Sequence, residues 1–218
     1  QVGEGVLIVI GKLFAACACA ALLSSAASAA TISAKGEFAA DHEGAFVEFL
    51  VHLRTRITMR TFSYAGGTQA DGTEVEAGGF DPMLSLFGPD GGLIGAFDDA
   101  AVGSLPADPV TDEEFDVAVH VDVDPGTYGV AVSQFFNNPG GHSAAAFSQA
   151  GNPRYTEIFG CTAGQFCDIA GFGRAPHWAV DSSAAAASPA SISPVPLPGA
   201  APALALGLAA LYWVRRRR

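Results

Sequence analysis

Four aspartates fall within one short stretch of this 218-residue chain: Asp81, Asp90, Asp98 and Asp99, in FDPMLSLFGPDGGLIGAFDDA. Carboxylates on neighbouring turns are what a hard divalent cation needs, because calcium takes about six to eight oxygen ligands. A β-hairpin would carry these turns to nearby positions, so the four residues are read as a candidate calcium site. No complete D-x-D-x-D-G loop accompanies them, and exposed turn aspartates account for the same residues. Cys161 and Cys167 enclose TAGQF with a glycine on either flank. In an oxidising compartment that spacing is most simply a disulfide closing a short loop, since a metal site would have only His177 to add.

Catalytic chemistry finds little material. There is no G-x-S-x-G elbow, and the histidines at 42, 52, 120, 142 and 177 form neither H-E-x-x-H nor a close pair. GFGRAP lacks the third glycine of a dinucleotide loop. The chain therefore reads as non-enzymatic, with no catalytic residues assigned.

Charge narrows the partners. Of the 22 acids only Glu4 lies outside residues 31–182, and of the 11 bases Lys12 and the four terminal arginines do. That segment thus holds 21 acids against 6 bases, a formal charge of −15. Such a bias repels nucleic acid, whose phosphates need Lys and Arg. Divalent cations and positively charged partners remain compatible with it.

The elements that must position these residues read as strands. In FDVAVHVDVDPGTYGVAVSQF, Phe115, Val117, Val119, Val121 and Val123 alternate with Asp116, His120 and Asp122, the period of a half-buried strand. Asp124-Pro125-Gly126 supplies a turn, and Tyr128, Val130 and Val132 line the buried face of a return strand. AFVEFLVHL and ITMRTFSYA form another apolar, β-branched and aromatic pair. Met83–Phe87 and Leu93–Phe97 flank a Pro-Asp-Gly-Gly turn, and Thr31–Phe38, Tyr155–Phe159 and His177–Val180 are further candidates. Short strands separated by Gly, Pro and Asp turns predict an all-β fold, an antiparallel β-sandwich over residues 31–182. After it, residues 183–194 are an Ala/Ser/Pro spacer with little to pack.

Both ends carry targeting signals. Lys12, the apolar Leu13–Leu23 and the small residues of SSAASAA follow the order of a signal peptide over residues 1–30, cut by signal peptidase near Ala30. FAAC at Phe14–Cys17 is a poor match to a lipoprotein box. At the other end, Leu197–Val214 is uncharged, about 27 Å long if helical, and is followed by Arg215, Arg216, Arg217 and Arg218. This predicts a transmembrane helix with the arginines cytoplasmic and the acidic body outside.

Two resemblances extend this reading. The D-x-x-L-x-L strand (Asp81, Leu84, Leu86), the turn at Asp90, the Asp98–Asp99 pair and Pro125–Tyr128 resemble a bacterial pre-peptidase C-terminal-like β-sandwich over roughly residues 40–135. That resemblance implies a non-catalytic accessory module of secreted proteins, alongside the jelly-roll-like alternative. Val195, Pro196, Leu197, Pro198 and Gly199, then the apolar span, then the arginines, resemble the PEP-CTERM sorting signal in its VPLPA-CTERM variant, with Gly199 in place of the usual alanine. This resemblance implies processing by an exosortase, a membrane-embedded cysteine transpeptidase. Together they imply a precursor held in the inner membrane with its body in the periplasm, then released to the cell surface or matrix. There its expected work is structural or adhesive, within exopolysaccharide or biofilm. A secreted calcium- or carbohydrate-binding module is the alternative, and a hydrolase with an unmarked site is a third.

Overall fold

In a computed structural model, residues 29–185 and 187–194 are described. Alternation of apolar and polar residues builds its strands. In β2 (Gly44–Val51) the side chains of Ala45, Val47, Phe49 and Val51 point inward, and in β3 (Thr55–Thr61) those of Ile57, Met59 and Thr61 do. β1 (Ala29–Glu37), β10 (His177–Ala185), β3 and β8 (Ala118–Val123) form one antiparallel sheet in the order β1-β10-β3-β8. β11 (Ala187–Pro194), β2, β9 (Gly126–Gln134), β6 (Pro82–Phe87) and β7 (Leu93–Phe97) form a second, in the order β11-β2-β9-β6-β7. A two-residue hairpin, β4 (Gly67–Thr68) with β5 (Glu74–Val75), stands apart. One apolar core is shared by the two sheets. Ile57, Met59, Trp178 and Val180 come from the first, and Val47, Phe49, Leu84, Leu86, Val130 and Val132 from the second. The fold is thus all-β, with antiparallel sheets and, among the described residues, one short 3-10 helix, an arrangement consistent with a β-sandwich.

The second sheet is covered on its outer face as well. Phe87 and Ala131 pack with Phe147, which belongs to the long segment between β9 and β10, and with Phe46 and Leu93. This is why β9 is buried without interruption from Tyr128 to Gln134 instead of alternating. Gly129 permits the cover: a Cβ there would lie 2.0 Å from the Phe46 ring.

Three expectations need correction. Tyr155–Phe159 is a 3-10 helix, closed by Gly160 at φ 84°, and its Ile158 is 80% exposed. Its aromatic and β-branched composition serves local anchoring, with the Tyr155 hydroxyl donating to the Gln134 and Phe135 carbonyls. Asp116 does not face solvent with His120 and Asp122. It is buried, because β8 begins only at Ala118 and the preceding residues turn inward. Residues read as a spacer after Ser182 continue β10 to Ala185, and Ala187–Pro194 then pairs along the whole of β2 with a register shift between Pro189 and Ser191. The expected signal peptide up to residue 28, the expected sorting motif Val195–Gly199, the apolar span and Arg215–Arg218 lie outside the described residues. Among the described residues no helix is long and apolar enough to cross a membrane.

Candidate metal centre

The β6–β7 hairpin sets the geometry. Asp81 immediately precedes β6, and Asp98 and Asp99 immediately follow β7, so all three stand at the open end of the hairpin. One carboxylate oxygen from each lies within 4.8 Å of those from the other two. Asp90 sits at the closed end. Its Oδ1 accepts from Gly92 N at 2.9 Å and its carbonyl meets His142 Nε2 at 2.9 Å, so it stabilises the turn. Of the four aspartates expected to converge, three do, and Asp90 does not join them.

Burial and mutual repulsion define the electrostatics of the trio. Asp81 is 2% exposed, and its Oδ1 has no hydrogen-bond donor; the buried Oδ1 of Asp98 likewise has none. Burial first, then the charges of Asp99, Asp98, Asp168 and Asp116, holds the Asp81 carboxyl well above the ordinary carboxylate range. Partial burial raises Asp98 as well. Asp99 is pushed up to about 6 by burial and by Asp98, Asp116 and Glu113. Three oxygen donors of this kind can hold a hard cation or share protons; no histidine or cysteine belongs to the group among the described residues.

The other buried aspartates present a sharp contrast, since every one has donors on both oxygens. Asp41 binds the backbone N–H and hydroxyl of Thr156 and Phe166 N at 2.8 Å, tying the first strand's exit to the disulfide loop. Asp116 accepts from Thr61 Oγ1 at 2.7 Å and from the backbone of Ser63, Tyr64 and Ala65. Asp168 accepts from the Tyr64 hydroxyl at 2.7 Å and from Phe172 N at 2.9 Å. Asp108 accepts from Val110 and Thr111 and forms an ion pair with Arg174 at 2.9 Å, the two side chains being 0% and 4% exposed. Burial pushes the Asp108 carboxyl up, yet the guanidinium and the backbone donors outweigh that and hold it below its usual value. The Arg174 guanidinium also lies 3.8 Å above the Tyr64 ring.

None of these four was singled out from sequence. A signal existed for Asp108, whose Asp-Pro dipeptide marks a turn. For the others, apart from Phe172 four positions after Asp168, the partners lie about 50 to 125 positions away, and only the fold reveals them. Cys161 and Cys167 are joined as expected, with Cα atoms 5.6 Å apart. No family model matches the chain, and comparison with curated proteins finds no match either.

Proposed function

We propose that this chain is an exported, non-enzymatic β-sandwich module of the pre-peptidase C-terminal-like kind, sorted to the cell surface or extracellular matrix. Its work there is structural or adhesive, within exopolysaccharide. The observation that carries the reading is the Cys161–Cys167 disulfide, a bond that persists in oxidising compartments. The residues of the sandwich resemblance support it through their structural jobs: Leu84 and Leu86 lie in the shared core, and the Tyr128 hydroxyl closes its own turn by donating to the Asp124 carbonyl at 2.8 Å. The C-terminal sorting resemblance adds the route, by way of an exosortase-type enzyme and the inner membrane.

The test uses two tags in the native host. One is inserted in the exposed β4–β5 turn at Gly72, where no atom lies within 4 Å of an added Cβ, and the other follows Arg218. Surface protein is expected to carry the first tag and lack the second, and to begin near Ala30 or Thr31. Both tags on one mature molecule would make the tail a plain anchor, and retention of Lys12 would remove the signal-peptide reading.

A second reading, a carbohydrate-binding module, draws on a cleft of about 470 Å³ at the β1–β10 end of the first sheet. Lys35, Glu37, Glu74, Glu76, His177 and Trp178 line it, giving an indole beside hydrogen-bonding groups of both signs. Saturable binding of a glycan that is lost in Glu74→Gln and Glu37→Gln would favour this reading.

A further inference from the structure

We propose that Asp81, Asp98 and Asp99 bind one calcium ion, which clamps the open end of the β6–β7 hairpin to the root of the connection leading to β8. The convergence of three carboxylates supplies the donors. The independent observation is Asp81 itself, almost fully buried, with an oxygen that no protein group satisfies. A buried carboxylate needs a compensating charge or donor. This fold meets that need at Asp41, Asp108, Asp116 and Asp168, on both oxygens each time. The charges that act most strongly on Asp81 are those of Asp99, Asp98, Asp168 and Asp116, all of its own sign. The ion pairs of the described chain go elsewhere, to Asp108, Asp122, Asp124 and Glu157.

Proton sharing is the competing arrangement, and it satisfies less. One proton bridges two carboxylates and leaves the third charged, whereas a divalent ion engages all three at once. Calcium fits better than magnesium or zinc. The donors are all oxygen, which disfavours zinc, and they come from two irregular strand ends, which suits calcium's flexible coordination more than the strict octahedron of magnesium. Exposed Asp99 leaves the outer coordination positions to water.

The ion would join segments that the backbone alone joins loosely. The Asp81 carbonyl accepts from Phe135 N at 2.9 Å, so Asp81 is already fastened to the end of β9. Asp98 and Asp99 begin the connection in which Ala100 N donates to the Asp116 carbonyl at 3.1 Å, and in which Val102 and Val110 stand out in solvent. Calcium would fix the start of that connection against the sheet.

The experiment is calorimetric titration of the exported, disulfide-intact protein with calcium chloride and, separately, magnesium chloride. Limited proteolysis in calcium or in chelator accompanies it. One calcium per chain is expected, with a dissociation constant on the order of 10⁻⁴–10⁻³ M, as in extracellular calcium modules. Chelator should open cleavage between residues 99 and 117. Asp99→Asn, at an exposed position, should weaken binding at least tenfold, and Asp81→Asn should abolish it. Asp90→Asn should bind as the parent does. Absence of saturable calcium binding by the folded parent would overturn the proposal, as would magnesium binding of equal strength or unchanged affinity in Asp99→Asn.

Discussion

Aspartate does two opposite jobs in this protein, and the difference lies in what faces each carboxylate. At Asp108 the facing group is Arg174, whose side chain is buried with it and also donates to the Gly79 and Tyr64 carbonyls. Arg174→Met should therefore lower unfolding stability by roughly 3 kcal/mol or more, because it strands a buried charge. Chemical denaturation measures this, and adding Asp108→Leu to the same chain should recover part of the loss. At Asp81, Asp98 and Asp99 the facing groups are carboxylates, and their folded-state values lie above the ordinary one near 3.8. The folded chain then holds more protons than the unfolded chain, so their contribution to stability is greatest at low pH and is lost as pH rises through the folded-state values, which for Asp99 means through about 6. In chelator the protein should melt at a lower temperature at pH 7.5 than at pH 5, and saturating calcium should remove that fall. A melting temperature in chelator that is flat across this range would contradict the assignment.

Strands were the most legible elements and their partners the least: β2 and β3, and β8 and the return strand β9, follow one another in the chain yet lie in different sheets. Period-two patterning and Gly-Pro-Asp turns located β2, β3, β6, β7 and β9 to within a few residues. The same patterning could not say which end of the β6–β7 hairpin each aspartate occupies until strand lengths were known. Closeness along the chain grouped Asp90 with Asp81, Asp98 and Asp99; the pairing of Leu84 with Phe97 separates them. Tyr155–Phe159 failed as a strand for a related reason: β-branched and aromatic residues mark burial, and burial here comes from the Thr156–Asp41 contact without any ladder. The disulfide was legible because its loop is local. Closing that loop of seven residues should stabilise the fold by roughly 2 kcal/mol through the entropy of the unfolded chain. The Cys161→Ser, Cys167→Ser double variant should show a loss of that size by urea denaturation, and thiol labelling of the native protein should detect no free cysteine.

At the scale of the whole molecule, composition was informative about surroundings and silent about contacts. A charge of −15 over residues 31–182 follows from counting, while the commitment of four buried aspartates to distant loops does not. Low apolar content misled at the C-terminal side, where ASPASISP was set aside as a spacer although its backbone completes the edge of the five-stranded sheet. That strand has a mechanical meaning. β11 is the outermost strand, held to β2 alone within its sheet, and Pro189 and Pro194 contribute no N–H to the ladder. It is also the last part of the folded body before any tether that begins at residue 195. Tension pulling away from the sheet edge would reach the Pro194–Ala45 pair first and undo the ladder one bond after another, toward Val51. β10 lies in the interior of the other sheet between β1 and β3, so it would take up load only after the eight residues of β11 had paid out as slack chain. The strand would thus act as a yielding link that shields the core from force.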